Sequence, residues 1–168
     1  MSINDERLKV IDFTDKYYNT PTVIVAAKGA GITPDAAGLT GKILGVQVST
    51  VHQTYAEKHF GSVVSEIKVY QTQDEANQDL VAGRVDAIQA DSIALDAFLA
   101  TPEGAACCEL MGKVEEDVAV LGPGVGLGLR KGDETLKAAF NKAIADVRAD
   151  GTYDAITAKY FASSIYGD

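Results

Sequence analysis

Between residues 40 and 115, short β-branched runs alternate with longer stretches that carry helix start and stop signals, and no other feature restricts the fold as much. "KILGVQV" reads as a strand, and "STVHQTYAEKHFG" follows it with hydroxyls at its head and a glycine at its end. "EIKVYQ" is a second strand, followed by "TQDEANQDLVAG", where Thr72 and Glu75 have the T-x-x-E spacing of a capping box. "RVDAIQAD" is a third strand, "DSIALDAFLATPEG" a third helix and "CCELMGKV" a fourth strand. Such alternation implies right-handed βαβ crossovers, so one α/β layer structure with a mostly parallel sheet is expected.

The flanks differ from this centre. "VIDFTDKYYNTPTVIVAAKG" reads as one or two extended segments with a turn at Asn19-Thr20-Pro21, and "GVGLGLRKGD" as a strand ending in a turn. "ETLKAAFNKAIADVRADG" is an amphipathic helix with Leu136, Phe140, Ile144 and Val147 at helical spacing, and "TYDAITAKYF" is a shorter one. Extended segments thus leave and re-enter the central layer, the wiring of a hinge between two lobes. The flanking lobe contains few strands and is expected to be incomplete.

The chain's 168 residues, 46% of them apolar, can build one ordinary domain or two small ones. No run of about 18 apolar residues occurs, so no spanning helix is expected, and the first residues lack the basic-then-apolar order of a secretory signal. A net charge of -9 argues against nucleic acid as a partner, which would demand clustered Lys and Arg. Cys107 and Cys108 are sequence neighbours, which disfavours a disulfide framework or a metal site and favours two small buried or half-buried thiols. No cofactor or metal is expected.

In open α/β sheets ligands sit beyond the carboxyl ends of the strands, so the strand-to-helix handovers are the places to inspect. At "GVQVSTVH", Ser49 and Thr50 stand at an N-cap position, where free N–H groups and the helix dipole favour an anion; a plain cap is the alternative. Gln73 occupies the second handover, and Asp91 ends the third strand as a ligand group or as the cap of the next helix. Arg7, ahead of a segment that passes through the expected hinge, is either a solvated side chain or the bidentate partner of a carboxylate. Arginine and a helix N-terminus for a carboxylate, with an aspartate for an ammonium, are the minimal recognition set for an α-amino acid. His52 and His59 lack companions at metal spacing and read as surface or core histidines. "GPGVGLG" leads into a strand without a following Lys-Ser/Thr and reads as a hinge strand rather than a phosphate loop.

These residues resemble the polar amino-acid-binding proteins of ABC transporters, in particular the lysine/arginine/ornithine- and opine-binding branch of the periplasmic solute-binding proteins. "SINDERLKVIDFTDKYY", "GVQVSTVH", "AGRVDAIQAD" and "RADGTYDAITAKYF" are similar to that family's segments, and the match runs through nearly the whole chain. In the family the first of these segments lies about one third of the way along, so the resemblance implies the middle and end of a binding protein. It implies a type II periplasmic-binding-protein fold, with residues 1-25 as partial lobe one and hinge, 26-118 as a complete lobe two, and 119-168 as hinge return and C-terminal helices of lobe one. Arg7 would bind the ligand carboxylate, with Ser2 a hinge-side hydroxyl near it. Thr50 and the Val51 backbone would be the lobe-two carboxylate contacts, and Asp91 the ammonium ligand. The family usually has glycine where Ser49 stands and often threonine or serine where Val51 stands.

The expected function is therefore substrate binding for an amino-acid importer, with a polar, cationic or opine-type amino acid and a membrane permease as partners and the periplasm as location. Binding is expected to be impaired, and the open remainder of lobe one to drive homo-oligomerisation. The alternatives are a self-associating fragment that binds nothing, and a dehydratase-like enzyme on the same fold.

Overall fold

The T-x-x-E spacing forms the capping box that it predicts: Thr72 Oγ1 accepts from the Glu75 N–H at 3.3 Å, and Glu75 Oε2 accepts from the Thr72 N–H at 2.9 Å. The computed structural model describes residues 1–162 and 164–167. In chain order the elements are α1 (Asp5–Leu8), β1 (Asp12–Phe13), β2 (Thr22–Ala27), β3 (Ile43–Gln47), α2 (Val51–His59), β4 (Glu66–Tyr70), α3 (Gln73–Val81) and β5 (Ala87–Asp91). There follow α4 (Ser92–Leu99), α5 (Pro102–Cys107), β6 (Cys108–Lys113), α6 (Val118–Leu121), β7 (Gly128–Leu129), α7 (Glu134–Ala149) and α8 (Thr152–Thr157). The chain divides into two units, Pro21–Val120 and Met1–Thr20 with Leu121–Asp168. All of β2 belongs to the first of these, which begins upstream of the boundary expected after residue 25, because the β2 ladder runs along β5 and β6 from Thr22 onward.

In Pro21–Val120 the sheet order is β4-β3-β5-β2-β6. Strands β4, β3 and β5 are parallel, while β2 is antiparallel to both β5 and β6, so four of the five strands share one direction. Both faces are covered, which is why Val23, Ile24, Val25 and Ala26 are buried in succession rather than alternately. On one face Val23, Val25, Ile88 and Ala90 pack with Ala76 and Leu80 of α3 and with Leu95 and Phe98 of α4. The single helix expected over "DSIALDAFLATPEG" is two: α4 stops at Leu99, and Thr101 caps a new helix with Pro102 in its first turn. Gly104 lets α5 approach α4, since a Cβ there would lie 2.1 Å from the Phe98 carbonyl oxygen. Cys107 and Cys108 are joined in a disulfide between neighbours at the α5–β6 junction, rather than standing as two thiols.

The other unit is sparser. The extended segments expected on either side pair only briefly, Asp12 with Leu129 and Phe13 with Gly128, and Val125 bridges both Ser2 and Tyr18. Thr14 ties this ladder together: its buried Oγ1 accepts from the Leu127 N–H at 3.0 Å and donates to the Asp15 carbonyl at 2.8 Å. The segment around Arg7 is a helical turn, α1, capped by Asn4 and followed by β1. Helix α7 is capped by Asp133 and has no buried residue; Leu136 is 42% and Phe140 37% exposed.

Candidate ligand-binding site

Three handovers line one edge of the Pro21–Val120 sheet. Since β4, β3 and β5 are parallel neighbours, the residues after their carboxyl ends follow in the order Gln73, Thr50, Asp91. Thr50 is the N-cap of α2: its Oγ1 accepts from the Gln53 N–H at 3.1 Å and donates to the Gln47 carbonyl at 2.8 Å. Ser49 is no cap. It takes a left-handed backbone with φ of 59°, the conformation that a glycine at this place would adopt without strain, and its N–H is held by Gln53 Oε1 at 2.8 Å. The turn from Gln47 to Thr50 is thereby pinned from both sides. It presents the first-turn N–H groups, that of Val51 among them, at the positive end of the helix dipole.

Asp91 caps α4, with Oδ1 accepting from the Ile93 N–H at 2.9 Å, so one carboxylate oxygen serves the helix. Gln73 is the first residue of α3, and its amide turns back along its own helix to donate to Asn77 Oδ1 at 3.0 Å. Two residues not singled out from sequence connect the Thr50 and Asp91 ends. Gln89, two places before Asp91 on β5, donates from Nε2 to the His52 carbonyl at 3.2 Å, and Thr22 Oγ1 lies 3.1 Å from His52 Nδ1. Thr22 is also registered opposite Asp91 in the β2–β5 ladder. An amide in the otherwise apolar "AIQA" was the one sequence signal for this link.

In the other unit, Arg7 donates from Nη1 to the Ser2 carbonyl at 2.8 Å, so Ser2 orients the guanidinium through its backbone. Partial burial lowers the Arg7 pKa from its ordinary value. His59 hydrogen bonds Asp117 Oδ2 at 2.7 Å, and Lys58 donates to the same oxygen at 2.7 Å, which holds the Asp117 carboxyl down at about 2. Among the described residues no cluster of three or more His, Cys, Asp or Glu could hold a metal, and no helix is long and apolar enough to cross a membrane.

Comparison with known proteins places this geometry in a family. Residues 1–163 match the model for bacterial extracellular solute-binding proteins, family 3. The chain is 44% identical to an L-arginine-binding protein of Pseudomonas aeruginosa over 168 residues, covering 99% of this chain and 64% of that one. It is 40% identical to the lysine/arginine/ornithine-binding periplasmic protein of Escherichia coli over 169 residues, covering 100% of this chain and 65% of that one. A solved ancestral arginine-binding protein with arginine bound superposes with a TM-score of 0.84 at 32% identity, over 96% of this chain and 69% of that one. The chain thus spans just under two thirds of the length of the relatives it matches. The fold is that of the type II periplasmic binding proteins, and the family is one of binding proteins, not of enzymes. The chain belongs to the bacterial extracellular solute-binding proteins, family 3.

Proposed function

We propose that this chain is the substrate-binding part of an amino-acid ABC importer, working in the periplasm with a membrane permease and holding a polar amino acid of cationic or opine type. Pro21–Val120 serves as lobe two, the residues before it as hinge and part of lobe one, and those after it as hinge return and C-terminal helices of lobe one. Arg7, the Thr50 hydroxyl and the Val51 N–H hold the ligand carboxylate, Asp91 holds its ammonium, Ser2 orients Arg7 and Gln73 flanks the rim. The reading rests above all on the two helix ends at one sheet edge, Thr50 on α2 and Asp91 on α4, joined through His52 by Gln89 and Thr22. The arginine- and lysine-binding relatives favour a cationic side chain.

Calorimetric titration of L-arginine against the chain, against Arg7→Ala and Asp91→Ala, and against the Pseudomonas aeruginosa relative tests this. Removing one partner of a desolvated charged contact costs about 2–5 kcal/mol, roughly thirty-fold or more in affinity, so each variant should lose its binding heat. Unchanged affinity in both variants would remove these residues from the site. Binding by the chain itself should be weaker than by the relative, because a cleft with one incomplete wall closes poorly.

The unburied α7 favours a second property, self-association. Its stripe of Leu136 and Phe140 is open, and such faces are association surfaces. A two-fold homodimer through this unit is the simplest outcome. Light scattering that finds a stable monomer at micromolar concentration sinks it.

A further inference from the structure

Gln89 is fully buried on β5 between Ile88 and Ala90, whose side chains enter the core on the opposite face. Its Nε2 donates to the His52 carbonyl, but among the described residues its Oε1 has no hydrogen-bond partner. In an α-helix the carbonyl of the second residue already accepts from the N–H four places on, so the Gln89 amide adds a bond to a satisfied group. Its own oxygen is left bare, and a buried acceptor without a partner is a cost. A methionine would fill the same space without that cost. Stability therefore does not account for a glutamine here.

Where the side chain reaches does account for it. His52 lies two residues past the Thr50 cap, and its ring is held by Thr22, the buried residue that faces Asp91 across the ladder. Helix ends fray, whereas central strands do not. One amide and one hydroxyl, both borne on strands, thus grip the backbone and the ring of the same first-turn residue. We infer that Gln89 and Thr22 are positioning residues that fix the first turn of α2, through His52, at a set spacing from Asp91. The inference rests on the proposed roles of Thr50, Val51 and Asp91. A free α-amino acid carries its carboxylate and ammonium on one carbon, so the groups that recognise them must be held to within about 0.5 Å.

The test uses the full chain with Gln89→Met and, separately, Thr22→Val, which keeps its shape. Without ligand, thermal unfolding and amide hydrogen exchange are followed; then L-arginine is titrated by NMR. Gln89→Met should leave the melting temperature unchanged or raised. The Gln53 and Thr54 N–H groups, bonded to Thr50 Oγ1 and Thr50 O, should exchange about five- to ten-fold faster while those of α3 do not change. L-arginine affinity should fall by a similar factor, and Thr22→Val should act the same way to a smaller extent. A lower melting temperature with uniformly faster exchange would assign Gln89 a merely structural role and overturn the inference, as would α2 exchange that stays unchanged. If Gln89→Met does not fold, Thr22→Val decides. Should the parent chain not bind L-arginine at all, the proposed function fails, and the ligand-free exchange still decides this inference.

Discussion

Pro21–Val120 and the flanking unit are built from similar proportions of apolar residues used in different ways. In the first, helices cover both faces of a five-stranded sheet, and Leu44, Ile88 and Leu95 are wholly buried. In the second, a two-residue ladder, Thr14 and a few buried side chains such as Phe13 and Val125 hold the chain, while its longest helix buries nothing. A region can thus carry the correct helical periodicity and still lack the opposing surface that turns periodicity into stability. Of the residues proposed to hold ligand, Thr50, Val51, Gln73 and Asp91 belong to the well-packed unit, and Ser2 and Arg7 to the sparse one.

The largest effect that separates the two should come from matched truncations. Leu95→Ala, at a wholly buried position, is expected to cost about 2–5 kcal/mol, whereas Leu136→Ala on the open face of α7 should stay within about 0.5 kcal/mol. Denaturant unfolding of both variants checks this, and equal losses would erase the contrast. A smaller effect in the opposite direction is expected at Ser49. Its left-handed backbone is strained for serine, so Ser49→Gly should stabilise Pro21–Val120 by about 1 kcal/mol, partly offset by greater freedom in the unfolded chain. A lower melting temperature for Ser49→Gly would contradict this account of the turn.

The smallest effect concerns acid. Asp79 accepts from Arg84 Nε at 2.7 Å, Tyr70 Oη at 2.6 Å and Lys68 Nζ at 2.9 Å, which binds α3 to the edge strand β4 and depresses the Asp79 pKa well below its ordinary 3.8. Asp117 is depressed to about 2 by Lys58 and His59. Because both folded values lie below the unfolded one, their contribution is fully present above the ordinary carboxylate range and is lost as pH falls through the depressed folded values. Melting temperatures measured from pH 5 down to pH 2 should therefore decline less steeply in Asp79→Asn and Asp117→Asn than in the parent.

What could be foreseen from sequence follows the range of the signals. Thr72 with Glu75, Thr50 as a cap and Asp91 at a strand end are local patterns, each set within a few residues, and each forms as its spacing predicts. The antiparallel seat of β2 between β5 and β6 has no local signature, because it depends on partners more than sixty residues away. The link from Gln89 to His52 likewise spans 37 residues. The glycine-rich 122–128 stretch reads as a hinge strand, but only its last residue, Gly128, pairs with β1, alongside Leu129. Arg7 was marked by its chemistry and by its place ahead of the hinge segment, but the helical turn that carries it depends on the Asn4 cap.

The most direct measurement is an NMR titration of the isotopically labelled chain with millimolar L-arginine, which registers weak binding residue by residue. Shift changes should concentrate on the backbone amides of Val51, His52 and Ser92 and on the Arg7 side chain, with those of α7 unmoved. Changes confined to α7 or to the α3–α5 surface, or none at any residue in a sample that remains folded, would contradict the claim that these helix ends form the wall of an amino-acid site.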